Sequence, residues 1–322
     1  MRRVLFVDDE PYLLSALQRT LRGQRKCWEM SFIADPVEAL EFLEREKVDV
    51  VVSDMRMPRL DGAQLLQRVR EIHPDTARLG LSGFSEPSML LRGLSSIHQY
   101  LAKPCESDRL VKVLERLLSV SAGLDPRARR LVASLAGLPA GQQAIQCLRR
   151  ELQSAQPDLD TLQAIICQDL GLATKVLQLV HSSFFGIPRP LADVPEACHA
   201  LGVQRLQGLL NQSDCFVNLE GVPEHLLVDF GHQANVRLRA LGGDRPSPAG
   251  LATFLRDIGQ LVLLAQDAPG YVELLNRYGH QGPELWRAES ERYGNSNPEL
   301  ATYLLSLWGF PESVTTAMSP ED

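Results

Sequence analysis

"VLFVDDE", residues 4–10, sets an apolar run directly against three acids, and its meaning depends on what else reaches the same place. The run Val4–Val7 has the length and composition of a buried strand. Asp8, Asp9 and Glu10 then fall at its carboxyl end, where like charges raise one another's proton affinity unless a cation balances them. Working outward, four more runs of the same kind follow: "EMSFIA" (29–34), "VDVVVS" (48–53), "ARLGLS" (77–82) and "HQYLA" (98–102). Between them lie amphipathic segments at Pro11–Leu21, Pro36–Arg45, Gly62–Ile72, Glu86–Leu94 and Ser107–Leu118. Five strand-then-helix units predict an α/β fold, a doubly wound five-stranded parallel sheet covered on both faces.

In such a sheet ligands sit beyond the carboxyl ends of the strands. That rim collects Asp8 and Asp9 from the first strand, Asp54 from the third, Ser82 from the fourth and Lys103 after the fifth. A divalent cation resolves the crowding of carboxylates. Magnesium suits it, because it keeps several waters and needs only one or two carboxylates. Asp54 would then stay ionised and available as a nucleophile toward a phosphoryl donor. Taken singly the residues have plainer readings: Asp8 or Asp9 as a helix N-cap before Pro11, Asp61-Gly62 as turn chemistry, Ser82 and Tyr100 as loop and core.

At 322 residues, 44% hydrophobic and 23% charged, the chain has material for two globular domains. Charges balance over residues 1–120, so the whole net charge of −7 falls in the remainder. An acidic surface repels phosphate backbones, which argues against nucleic acid as a partner. Six cysteines are scattered without a CxxC pair, which signals neither a zinc site nor a disulfide framework. Arg2 and Arg3 lead straight into strand and acids rather than a signal peptide. No apolar stretch approaches the roughly 20 residues that span a bilayer. A cytoplasmic protein with no membrane partner is expected.

After Leu118 the pattern changes. "SVSAGLDPRARR" (119–130) reads as a linker, although the preceding helix has the composition to run partway into it. From about Ala128 onward the periodicity is helical, with breakers at "GIPRP", "GVPEH" and "GDRPSPAG". The expected organisation is residues 1–120, a linker at 121–127, and an all-α part at 128–322.

The first part resembles a response-regulator receiver domain, a flavodoxin-like fold. "VDDE" matches the acidic pair, "DMRMPRLDG" the phosphoacceptor segment, "LSG" the switch hydroxyl segment and "YLAKP" the Lys-Pro segment, all in order at the right strand ends. The resemblance implies that Asp54 accepts a phosphoryl group from a sensor histidine kinase. Asp9 and Asp54 would bind magnesium with the backbone carbonyl of Arg56, with Asp8 helping mainly through water. Lys103 would pair with Asp54 and then with the phosphoryl oxygens, to which Ser82 would donate its hydroxyl. Tyr100 matches the aromatic that swings inward with that hydroxyl, making a two-state switch biased by added charge. Pro104 would follow a cis peptide bond. Gly93 in the short segment 85–97 marks a weak fourth helix.

The second part resembles the HDOD family through "LAGLPAGQQAIQCLRREL", "DLDTLQAIICQDLGLATKVLQLVHSSFFG" and "ACHALGVQRLQGLL". His181 stands where that family usually has Asn. HDOD domains are relatives of HD phosphohydrolases, whose divalent metal needs paired His and Asp ligands. In "FLRDIGQL" Asp257 remains but Arg256 replaces the histidine, and Asn297 stands where a further histidine is expected, although His232 could match the first. A cation beside the site opposes metal binding, so no cofactor and no hydrolysis are expected there. Phe184, Phe185, Leu300, Leu304, Leu307 and Trp308 form either a groove for a partner helix or plain core, which their helical spacing favours.

The resulting expectation is a two-component response regulator in which phosphorylated Asp54 switches a non-catalytic helical domain that signals by protein–protein contact. Its output partner is a downstream signalling protein or a second copy in a homodimer. The alternative is an enzyme, a metal-dependent phosphodiesterase acting on a cyclic dinucleotide.

Overall fold

The computed structural model describes residues 1–83, 93–181, 191, 193–212, 215–217, 222–241 and 247–318. The segment expected to be helical at Glu86–Leu94 falls largely outside these residues, as do Phe184 and Phe185. The chain divides into two compact units, the first spanning Met1–Leu124 and the second beginning at Asp125.

In the first unit the strands are β1 (Arg2–Val7), β2 (Trp28–Ile33), β3 (Val50–Asp54), β4 (Ala77–Ser82) and β5 (Gln99–Ala102). They pair in the order β2-β1-β3-β4-β5, every pair parallel. The reversal of order at β1 and β3 opens the crevice at their carboxyl ends, the usual ligand position in such sheets. β3 and β4 are buried along their whole length, which explains why they read as unbroken apolar runs rather than alternations.

Helices α1 (Pro11–Thr20), α2 (Pro36–Arg45) and α3 (Gly62–Ile72) start where sequence chemistry says they should. Pro11 and Pro36 occupy first-turn positions, where a missing N–H costs nothing. Asp35 caps α2 through the Val37 N–H, and Asp61 makes a reciprocal capping box with Gln64 at α3, a device worth about 1 kcal/mol. Gly62 is needed at the α3 entrance because a Cβ there would lie 2.1 Å from the carbonyl oxygen of Asp54. The helix from Ser107 ends at Ala122, and the next begins at Pro126. Asp125 caps that helix and donates its N–H to the Asn295 side chain at 2.9 Å, which ties it to the second unit.

The second unit is helical, with one addition that the periodicity does not show: Leu138–Pro139 (β6) pairs in parallel with Phe216–Val217 (β7). Its axis is the helix Leu170–His181, where every residue from Leu170 to Val180 is buried, including Thr174, Lys175 and Gln178. Asp169 starts this helix, accepting the Leu172 N–H at 2.8 Å and the Gly141 N–H at 2.7 Å. Leu201-Gly202 forms a kink at which Gly202 adopts φ +71°, a conformation cheap only for glycine. Leu300, Leu304, Leu307 and Trp308 are all buried, so these four belong to the core.

Candidate functional site

The rim of the first unit brings Asp8, Asp54, Ser82 and Lys103 together. Asp8 and Asp54 end adjacent parallel strands and are almost fully buried, at 2% and 7% exposure. Between them lies the Lys103 ammonium, 2.6 Å from Asp8 Oδ2 and in direct contact with Asp54 Oδ1. The second oxygen of Asp54 accepts the Arg56 N–H at 2.8 Å, and Asp8 Oδ1 accepts the Glu10 N–H at 3.0 Å. Glu10 therefore closes the strand end through its backbone. Asp9 is half-buried at the same turn. Asp8 engages Lys103 directly, a contact that the sequence did not indicate.

The Lys103 backbone N–H donates to the Ser82 carbonyl at 2.7 Å, continuing the β4–β5 ladder, and the Lys103–Pro104 peptide is cis. Ser82 is itself buried and directs its hydroxyl to the Gly83 carbonyl at 3.2 Å.

Burial pushes the Asp54 carboxyl above its ordinary value, against the hydrogen bond and charge of Lys103, which pull it down. For Lys103 burial disfavours the ammonium, but the hydrogen bonds to Asp54 and Asp8 outweigh it and hold the group above the usual lysine value. The position therefore attracts positive charge and turns one oxygen from each of two aspartates toward it. Its all-oxygen donors suit a small hard dication. Among the described residues no three His, Cys, Asp or Glu side chains group as a metal cluster.

Tyr100 is buried, at 2% exposure, opposite Gly80 in the β4–β5 register. Sequence reading singled out Tyr100, took Gly93 only as the mark of a weak fourth helix, and did not single out Gly80, although Tyr100 packs against both glycines. A Cβ on Gly93 would lie 2.1 Å from the Tyr100 hydroxyl, and one on Gly80 would lie 3.0 Å from its ring.

In the helical unit the sequence-matched residues are either exposed or engaged by other side chains. Arg256, expected to sit at the metal position, is exposed, and so is His232. The cation on Asp257 is Arg237, whose Nη2 lies 2.5 Å from Asp257 Oδ2, with both side chains largely buried. Gln260 Nε2 approaches Asp257 Oδ1 at 3.4 Å and donates to the His280 carbonyl at 2.9 Å. Asn297 packs its backbone against Gly259, two residues after Asp257, where a Cβ would lie 1.9 Å from the Asn297 carbonyl oxygen, but its backbone and side-chain N–H groups bind the fully buried Glu289, which also accepts the Tyr271 hydroxyl at 2.5 Å. Burial pushes the Glu289 carboxyl up, against the three donors that stabilise its charge.

His181 stacks on Phe310 with ring centroids 4.3 Å apart, and its Nδ1 faces the Leu177 carbonyl. Lys175, which no motif singled out, is fully buried with Nζ 3.1 Å from Gln178 Oε1 and 4.6 Å from the Trp308 ring centre.

Comparison with known proteins places these units in families. Residues 4–115 match the response regulator receiver domain, and residues 138–321 match the HDOD domain. The chain is 35% identical over 135 residues to the hydrogenase transcriptional regulatory protein HoxA of Bradyrhizobium diazoefficiens, covering 39% of this chain and 27% of that one. It is 27% identical over 209 residues to the transcriptional regulatory protein ZraR of Escherichia coli, covering 64% and 46% respectively. It thus spans less than half the length of these curated relatives. Among solved structures, the MmoQ response regulator of Methylococcus capsulatus aligns with TM-score 0.49 and 24% identity, over 58% of this chain and 77% of that one. No helix among the described residues is long and apolar enough to cross a membrane. A receiver at the head and an HDOD match over most of the rest make the chain a response regulator of two-component signalling that belongs to the HDOD family.

Proposed function

We propose that Asp54 is the phosphoacceptor of a switch that controls a non-catalytic HDOD output. The observation carrying this reading is the Lys103 ammonium held between the buried carboxylates of Asp8 and Asp54, with Ser82 on the neighbouring strand. One Asp54 oxygen attacks the phosphorus of a phosphohistidine on a sensor kinase. The P–N bond breaks, an acyl phosphate forms, and the leaving imidazole takes a proton. Asp8, Asp9, Asp54 and the Arg56 carbonyl would hold magnesium, which supplies charge neutralisation at the transferring group. Lys103 then moves from carboxylate to phosphoryl oxygens, with the Ser82 hydroxyl as second donor. Ser82 and Tyr100 carry the change to the outer face of β5.

For the output, residues 1–120 act as receiver, 121–127 as linker and 128–322 as the HDOD module, working in the cytoplasm. Arg237 on Asp257 and the engagement of Asn297 by Glu289 support binding rather than hydrolysis, because an internal guanidinium and a carboxylate already use the groups a metal would need. The partner is a downstream protein or a second copy that prefers one phosphorylation state, since an indifferent one transmits nothing. The curated relatives are transcriptional regulators, but the acidic remainder of this chain favours a protein partner over DNA.

Incubating the full chain with acetyl phosphate and magnesium should add one phosphoryl group to the intact mass, and Asp54→Asn should abolish the gain. An unchanged wild-type mass, or metal-dependent cleavage of a cyclic dinucleotide by purified protein, would overturn the reading.

A further inference from the structure

We infer that Gly80 and Gly93 are positioning residues for Tyr100: by withholding a Cβ at each place, they create the seat in which that ring is buried. This rests on the switch reading above and adds which residues of this chain set the inward state. Tyr100 pairs with Gly80 across β4 and β5, and Ser82 pairs with Ala102 one step further along each face. Side chains two apart on a strand share a face, so Ser82, Gly80, Tyr100 and Ala102 all look to the same side of the sheet. The ring therefore lies over the strand position next to the Ser82 hydroxyl, and it fits closely there because position 80 carries no side chain. A Cβ on Gly80 would stand 3.0 and 3.1 Å from two Tyr100 ring carbons and 2.9 Å from Met55 Sδ.

The second wall is closer still. A Cβ on Gly93 would lie 2.1 Å from the Tyr100 hydroxyl oxygen and 2.6 Å from Ile97 Cδ1. Neither contact is with backbone, so relief comes from side-chain rotation, and the Tyr100 ring can leave by turning outward about χ1. Alanine at position 93 thus converts the inward seat into an outward preference, and packed interiors make that change two-state rather than gradual. Glycine in a helical segment is otherwise unfavourable, and the seat gives Gly93 a physical use.

The test uses the full chain labelled with fluorotyrosine, with the Tyr100 resonance assigned by its absence from Tyr100→Phe. In wild type that resonance should show almost no shift between light and heavy water, and in Gly93→Ala it should gain the full solvent shift. The double variant Gly93→Ala/Tyr100→Phe, which removes the struck hydroxyl, should recover the thermal midpoint lost in Gly93→Ala. Retention of a buried Tyr100 resonance in Gly93→Ala would overturn the inference. So would a double variant as destabilised or unfolded as the single one, which would place the clash at Ile97. Intact mass after acetyl phosphate treatment separates the two readings. A wild type that takes no phosphoryl group defeats the switch while leaving the seat standing. A phosphorylated wild type beside a Gly93→Ala protein with Tyr100 still buried defeats the seat alone.

Discussion

Arg237 and Asp257 meet at 2.5 Å in the interior of the helical unit, with side-chain exposures of only 16% and 6%. A buried ion pair gains little over an apolar pair, but breaking it strands the remaining charge, at a cost of about 3–5 kcal/mol. Arg237→Gln should therefore lower the urea midpoint strongly, and Arg237→Met/Asp257→Leu should recover most of the loss. Manganese should leave the unfolding transition of the helical unit unchanged, because the Asp257 carboxylate is already neutralised.

The receiver should show an acid limb in its phosphorylation rate. Asp54 must be ionised to attack, and burial raises its proton affinity above the ordinary carboxylate range despite Lys103. The initial rate with acetyl phosphate should therefore begin to fall at a higher pH than an unperturbed aspartate would give. Added magnesium favours the charged form and should move that limb to lower pH. For stability the sign is opposite. A carboxyl that holds its proton more tightly when folded contributes most below its unfolded value, and that contribution is lost as pH rises through its folded one.

Lys175 predicts a slope at the alkaline end. Burial lowers its pKa, with the nearby Cys215 thiol opposing weakly, so the unfolded chain binds more protons than the folded one between the two values. Stability from this group is complete above the unfolded lysine value and is lost as pH falls through the folded value. Lys175→Met should flatten that slope in denaturant titrations while keeping the fold, since Met fills similar volume beside Trp308.

Asn297 and Glu289 should behave as one unit. Asn297→Ala removes the side-chain donor to a fully buried carboxylate, and losing a buried partner of this kind costs about 1–3 kcal/mol. Combined with Tyr271→Phe, the loss should depart from additivity by about 0.5–3 kcal/mol in a double-mutant cycle.

The receiver was legible because its chemistry is local. Asp8, Asp54, Ser82 and Lys103 each sit at the end of an apolar run, and parallel topology brings run ends together whatever the side chains between. What sequence reading missed is tertiary. Arg237 reaches Asp257 from a different helix, while Arg256, adjacent in sequence, turns out to solvent. Asn297 was read against a missing histidine, and only folding shows that Glu289, eight residues earlier, claims it. The β6–β7 pairing is two residues on each side, too short to leave any periodicity. Lys175 lay hidden because a lysine inside an apolar helical pattern reads as an exposed position.

The helix Leu170–His181 touches the helices on both sides of it in sequence and also β6 and Ile258–Gln266. Its walls therefore come from segments on either side of it along the chain. A cut between them would leave one fragment holding a rod with lysine, threonine and glutamine stripped of their shelter, and the other holding half a casing. Dissection of this protein by truncation should thus yield either the receiver by itself or the HDOD unit whole, with no soluble intermediate piece of the latter.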